Sequence, residues 1–310
     1  MADYTTTALI AAIKRRGSFP NSQSLFSNQD LIDIANDELW DTVVPWLMAN
    51  REEYLVSYKD ITLEANEKTI DIPQNAMGMK LRDVVVVTNP GTSQETTYAL
   101  ARTSPDEIAS GNLNGSILPF LSSCFYIQNN QVIIWPAPSS ETIFRLSFFR
   151  RPNQLIATTS CGQITSVDTN TNEVVLDNVP VSWTAGDTFD IISNTPAFDA
   201  VLEVDEAVVV SNPTVQLTDV TGVSVGDWVC LTGESPIAQV PLELHQLLAQ
   251  AAVVKCLESQ KDAEGMQLAQ AKLNEMFMRF AAIVSPRVDG RLKCVNSNIG
   301  SSVFGNSWRW

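Results

Sequence analysis

Residues 27–56 read SNQDLIDIANDELWDTVVPWLMANREEYLV. Leu31, Ile34, Ala35, Leu39, Val43 and Leu47 recur along this stretch at the spacing of one helical face. Ser27 or Asn28 suits the N-cap, and Asp30 falls in the first turn, where free backbone N–H groups attract a carboxylate. The pattern predicts a helix from about residue 28 to about residue 56. Pro45 lies inside it and removes one backbone donor, which predicts a kink between Asp41 and Pro45. Trp40 and Trp46 widen the apolar stripe. A helix with so broad an apolar face needs cover on two sides, and that cover must come from elsewhere in the chain.

Upstream, residues 4–16 read as a short helix with Ala8, Leu9, Ala12 and Ile13 on one face. Downstream the period changes. Residues 57–63 and 68–73 read as strands around a polar turn at Ala65–Glu67, and residues 79–88 and 94–101 as a second pair around Asn89, Pro90 and Gly91. Thr103–Glu107 is a helix start with Pro105 at the first helical position. FYIQNNQVIIWP (125–136) is a hairpin turning at Asn129–Asn130, and residues 142–150 form another strand.

Residues 158–235 are β-rich and hold an internal repeat. VVLDNVPVSWTAGDTFDII (174–192) resembles VQLTDVTGVSVGDWVCLT (215–232), with Leu176 matching Leu217 and Gly186-Asp187 matching Gly226-Asp227. Each copy reads strand, turn, Gly-Asp, strand, which predicts a small barrel or sandwich. Helix returns at Pro241. One helix carries Leu244, Leu247, Leu248, Ala251 and Ala252. A second carries Leu268, Leu273, Met276, Phe277 and Phe280, with a boundary near Lys261–Glu264 and a stop at Pro286.

This order predicts an α+β chain. The N-terminal helices pack on the C-terminal pair as a four-helix bundle core, flanked by β hairpins, with an inserted small β-barrel or sandwich domain and an extended C-terminal arm. The expected boundaries are 1–157 for the first part of the core, 158–238 for the inserted acidic β domain, 239–284 for the helices completing the bundle, and 285–310 for the arm.

Charge marks the same boundaries. The 310-residue chain has 20 Lys+Arg against 35 Asp+Glu, a net charge of −15. No Lys or Arg occurs between Arg151 and Lys255, and residues 152–240 carry twelve acids. Phosphate binding needs concentrated basic charge, so a whole-surface grip on nucleic acid is excluded. Hydrophobic residues make up 45% of the chain, enough for a sizeable core, so wholesale disorder is excluded too. Cys124, Cys161, Cys230, Cys256 and Cys294 show no CxxC spacing and are odd in number, and are read as reduced, buried thiols. At the N-terminus the basic Lys14-Arg15-Arg16 follows the apolar run, the reverse of a signal peptide, and no apolar stretch has the length of a membrane span. Synthesis and retention in the cytosol are expected.

No motif carries chemistry. GxGxxG, GxxxxGK[ST], GxSxG and HExxH are all absent. Asp168, Asn170 and Asn172 resemble the start of a calcium loop, but Glu173 stands where Gly belongs and Val179 where Glu belongs, so a hairpin turn is expected. The single histidine, His245, excludes mechanisms needing two imidazoles and reads as a helix-face or core-edge residue. Lys14-Arg15-Arg16 reads as a solvated helix end, and the insert acids as solvated faces rather than a glycosidase pair. No catalytic, cofactor-binding or metal-ligating residue is assigned, and no enzymatic activity is expected.

The tail differs. Residues 285–310 are rich in Ser, Asn and Gly, with Arg287, Arg291, Lys293 and Arg309 against Asp289, and end in Phe304 and Trp308-Arg309-Trp310. Such a segment cannot bury enough apolar area to order itself, yet Trp and Arg dominate binding hot spots. It reads as an arm that orders on a partner.

SNQDLIDIANDELWDTVVPWLMANREEYLV together with EANEKTIDIPQNAMGMKLRDV resembles the head-to-tail adaptor (connector, or head-completion) proteins of short-tailed bacteriophages, most clearly over residues 28–88. The resemblance implies a structural virion protein of the neck, made in the host cytoplasm. Such a protein forms a ring of twelve beneath the portal, extends the DNA channel and offers the tail or nozzle a platform. DNA would pass through without sequence-specific binding and no membrane would be involved. It also implies that the arm lies along the portal, with Arg287, Arg291, Lys293, Phe304, Trp308, Arg309 and Trp310 as contacts. The acidic insert departs from the smallest members of that family, which lack one. Other readings stay open: another tail or nozzle component, or a β-domain that binds a surface or glycan.

Overall fold

The computed structural model describes residues 4–19, 25–109, 123–184, 186–194, 201–207 and 209–284. Helix α1 spans Thr6–Arg16 and α2 spans Asn28–Glu38. Ser27 caps α2 reciprocally: its Oγ accepts from Asp30 N at 3.1 Å, and the Asp30 carboxylate accepts from Ser27 N at 2.6 Å. Helix α2 runs on through a π turn at Leu39–Val43 into α3, Val44–Arg51, and a final 3-10 turn at Glu52–Leu55. Val44 N–H reaches back five residues to Leu39 O. The kink expected at Asp41–Pro45 thus takes the form of a widened turn, because Pro45 offers no N–H to hold the α register.

The strands that follow are β1 (Val56–Leu63), β2 (Thr69–Asp71), β3 (Ala76–Thr88), β4 (Thr96–Ala99) and β5 (Ala101–Arg102). After the short helix α4 (Pro105–Ala109) come β6 (Cys124–Gln128), β7 (Gln131–Trp135) and β8 (Thr142–Arg150). They make two four-stranded sheets, ordered β1–β8–β3–β4 and β2–β7–β6–β5. Leu63, Val84, Phe144, Leu146 and Phe148 of the first share one core with Ile70, Val132 and Ile134 of the second. The β6–β7 hairpin turns at Asn129 and Asn130, both at positive φ (51° and 59°), as a two-residue primed turn requires.

Two expected pairings are different in the fold. Strands β1 and β2 do not pair across Ala65–Glu67; β1 pairs β8 and β2 pairs β7. The turn exists, with Asn66 at φ 69°, but it hands the chain from one sheet to the other. Likewise residues 94–101 are not one strand. The chain breaks at Leu100, whose N–H still bonds Val84 O at 2.9 Å, and β4 and β5 join different sheets.

Strand β9 (Gln154–Leu155) leads into the third β region. There β10 (Gly162–Asp168), β11 (Glu173–Leu176), β12 (Thr188–Ile192), β13 (Val201–Ala207), β14 (Val209–Ser211), β15 (Thr214–Gln216) and β16 (Trp228–Leu231) form one sheet. Its order is β13–β12–β16–β10–β11–β15–β14. Strand β17 (Glu234–Ser235) leads out and pairs in parallel with β9, so the chain enters and leaves this sheet side by side. The repeat is visible as matched turns. Thr184 N donates to Asp187 Oδ2 at 2.6 Å, and Ser224 N to Asp227 Oδ2 at 2.8 Å. Gly186 and Gly226 sit at φ 99° and 101°, a conformation that a side chain would strain. Asp168, Asn170 and Asn172 form the β10–β11 hairpin turn, with Asn170 N on Asp168 Oδ1 at 2.8 Å.

Helices α5 (Leu242–Ser259) and α6 (Ala263–Val284) complete the described chain, and the turn between them places Lys261 at φ 59°. Helix α5 is apolar on most of its circumference and is correspondingly buried on most of it. It packs against α1, α2, the π turn and α6. Leu9, Ile13, Leu31, Leu39 and Leu47 share its core with Leu244, Leu248, Ala252, Cys256 and Leu273. The class is mixed α+β.

Candidate interaction surface

A buried polar network ties down the links to the seven-stranded sheet. Asn36 of α2 holds the backbone of Leu155 on both sides, receiving from Leu155 N at 2.7 Å and donating to Leu155 O at 2.9 Å. Asn153 donates through Nδ2 to Asp190 Oδ2 at 2.6 Å and to Glu234 O at 3.1 Å, and its own N–H reaches Gln239 Oε1 at 3.0 Å. Asp190 also accepts from Gly233 N at 2.9 Å. Asn36, Asn153, Asp190 and Gln239 are all buried. They satisfy polar backbone where the chain changes from one layer to the next.

Beside this network lies a cleft of about 640 Å³ lined by Asp37, Trp40, Gln74, Asn75, Arg151 and Gln154, among others. The Arg151 guanidinium lies 5.9 Å from the Trp40 ring centre, and Arg151 N donates to Asn75 O at 2.7 Å. Arg151 is the last cation before the cation-free run, and the cleft is lined both by residues that precede that run and by Asp190, Thr232 and Gly233 within it. No signal in the sequence marked these polar residues, because each finds its partner only across layers.

The acids serve as turn builders. Asp168 is lowered below the usual carboxylate range first by the backbone N–H of Asn170, and Asp219 first by the Thr221 hydroxyl and then by the Thr221 N–H, all within their own turns. Asp177 accepts from Gln163 N at 2.6 Å. The Glu234 carboxyl is raised by burial. None of these arrangements pairs a nucleophile with a base. His245 packs edge-on to Tyr4 at 5.3 Å, and burial lowers it to about 4, against hydrogen bonds with the backbone of Val240 and Ala238. It is a neutral core histidine at physiological pH. Among the described residues no group of His, Cys, Asp and Glu could hold a metal ion, and no helix is long and apolar enough to cross a membrane.

Lys14-Arg15-Arg16 is only partly a solvated helix end. Arg16 Nη1 donates to Gln250 Oε1 at 3.2 Å and Nη2 to Gln246 Oε1 at 3.4 Å, tying α1 to α5, while Lys14 Nζ bonds Asn28 Oδ1 at 2.8 Å. Large apolar side chains reach solvent on α6, at Leu268, Met278 and Ile283, and at the repeat turns, at Val181 and Val225. Arg287, Arg291, Lys293, Phe304, Trp308, Arg309 and Trp310 lie outside the described residues.

No curated protein sequence matches the chain. The family described as SU10 adaptor protein matches residues 4–180. That span takes in α1 to α4, both four-stranded sheets and the first hairpin of the seven-stranded sheet. It covers more than half of the chain, and the protein belongs to the SU10 adaptor protein family, structural adaptors of bacteriophage particles.

Proposed function

We propose that this protein is the head-to-tail adaptor of a short-tailed phage, binding as a ring of twelve beneath the portal, extending the DNA channel and seating the tail or nozzle. The family match over residues 4–180 is the observation that carries this reading. In it, the helices form a four-helix bundle core that packs subunit to subunit. Residues 158–238 act as an inserted unit on paired links. Residues 285–310 are the portal-binding arm, with Arg287, Arg291, Lys293, Phe304, Trp308, Arg309 and Trp310 as its contacts. The tail's net +3 beside Trp308 and Trp310 supports the arm. The absence of cations from residues 152–254 supports a passage that DNA crosses without sticking, since like charge repels phosphate.

The test is light-scattering mass on a sizing column, for the chain alone and mixed with the portal ring of the same genome. The full chain is expected to add about twelve subunits to the portal, by the family resemblance, and a chain ending at residue 284 to add none. A full chain that leaves the portal's mass unchanged overturns the adaptor role. A truncated chain that still binds overturns the arm.

A further inference from the structure

Strands β10 and β16 are antiparallel neighbours, with Gly162 opposite Val229 and Gln163 opposite Trp228. One step further along the same register, Cys161 stands opposite Cys230. Its backbone is still extended there, at φ −120° and ψ 166°. Ile164 N bonds Asp227 O at 2.8 Å, which makes that pair hydrogen-bonded. Alternation along the ladder then makes 161 and 230 a non-bonded pair, the kind whose Cα atoms approach to roughly 4.5 Å and whose side chains lie closest. That separation falls inside the range a disulfide spans. Both cysteines belong to one small core with Ile192, Trp228 and Ile237, and both are free thiols. Cys124 and Cys256 lie in other elements, on β6 and α5.

The geometry points to Cys161 and Cys230 as an oxidisable dithiol that closes a cross-strand disulfide when the protein meets a small-molecule disulfide such as oxidised glutathione. The balance is that of thiol–disulfide exchange. One cysteine thiolate attacks the oxidant, forming a mixed disulfide and releasing one glutathione thiolate. The second cysteine thiolate then attacks the protein sulfur and releases the other. Two protein thiols lose two hydrogens, and one oxidised glutathione becomes two reduced. Cys161 is placed to react first, because it follows the exposed Thr159 and Ser160 at the open end of the ladder. Cys230 is fully enclosed, and burial, together with the hydrogen bond its thiol donates to Cys161, pushes it well above the ordinary range. The exchange therefore waits on local opening of that end.

The bond would close a loop of about 70 residues holding all of the seven-stranded sheet but the last residue of β16, and long closed loops gain most from a crosslink. Its use rests on the adaptor reading: a virion component passes from a reducing cell to an oxidising medium when the particle is released. The pairing itself rests on the strand register and on the side-chain contact between the two thiols, not on that reading.

The test needs only the purified full chain. Trypsin has no site between Arg151 and Lys255, so one peptide carries Cys161 and Cys230 and no other cysteine. The chain is treated with oxidised glutathione, with and without urea below the unfolding midpoint, and that peptide is weighed. The expected result is a peptide two hydrogens lighter and a melting temperature raised by about 5–10 °C, both reversed by dithiothreitol and both absent in Cys161→Ala and Cys230→Ala. A peptide that keeps two thiols in urea, or that carries glutathione instead of an internal bond, overturns the proposal. Neither result bears on portal binding, so the two readings fail separately.

Discussion

Asn36 and Leu155, 119 residues apart, hold each other by two buried hydrogen bonds of 2.7 and 2.9 Å. The side-chain amide does for Leu155 what a neighbouring strand would do, and so pins the link into the seven-stranded sheet onto α2. Asn36→Ala leaves a buried N–H and a buried C=O without partners. We expect a loss of about 2–4 kcal/mol in urea unfolding. A loss under about 0.5 kcal/mol, the size of an ordinary surface substitution, would mean that the pair is not a structural tie.

His245 makes stability depend on pH in a defined window. Its folded pKa is lowered to about 4 from 6.5. Above pH 6.5 it is neutral in both states and its contribution is fully present. As pH falls from 6.5 towards 4 the unfolded chain takes up a proton that the folded chain refuses, and stability is lost. The loss amounts to roughly 3 kcal/mol at most. Urea unfolding at several pH values should show this decline, and His245→Gln should remove part of its slope. Identical slopes in the two proteins would show that His245 protonates as easily folded as unfolded.

The two repeat turns are alike in geometry and unequal in burial, so their aspartates should not cost the same. Asp187 is half-buried and serves Thr184 N and Oγ1. Asp227 is buried, and besides Ser224 N it accepts from Asn194 N at 2.8 Å. Asp227→Ala is expected to cost about 2–3 kcal/mol and Asp187→Ala about 1 kcal/mol. Thermal denaturation of both variants decides it, and the reverse order would refute the assignment.

Arg145 on β8 straps two neighbours at once. Nε and Nη2 grip Asp60 of β1 at 2.6 and 2.8 Å, and Nη1 reaches Glu95 at 2.8 Å, while the guanidinium lies 4.6 Å over Tyr58. Glu95 in turn receives Gly91 N at 2.9 Å, and that bond first, then Arg145, lowers its carboxyl below the usual range. Lysine cannot reproduce the fork. In Arg145→Lys, amide exchange across Gly91–Ala99 should speed up about fivefold, with the centre of β8 unchanged. Unchanged exchange at Gly91 would show that Arg145 does not hold the β3–β4 turn.

Local chemistry was legible in the sequence wherever its cause lay within a few residues. The Ser27–Asp30 cap, the disturbance around Pro45, the Asn129–Asn130 turn, strand 142–150 and the matched Gly-Asp turns all stand where residue type and spacing put them. The cation-free run that follows Arg151 takes in all seven strands of the third β region, β10 to β16. Strand partnership was decided only by the tertiary structure. The turn at Ala65–Glu67 reads as a hairpin, yet β1 and β2 bury Leu63 and Ile70 from opposite sides of one core, and only the joint packing of two sheets selects that arrangement. The same holds for Asn36, Asn153, Gln239 and the facing of Cys161 with Cys230. A side chain's hydrogen-bonding capacity is written in its type, but its partner is set by which backbone the folded layers bring within about 3 Å.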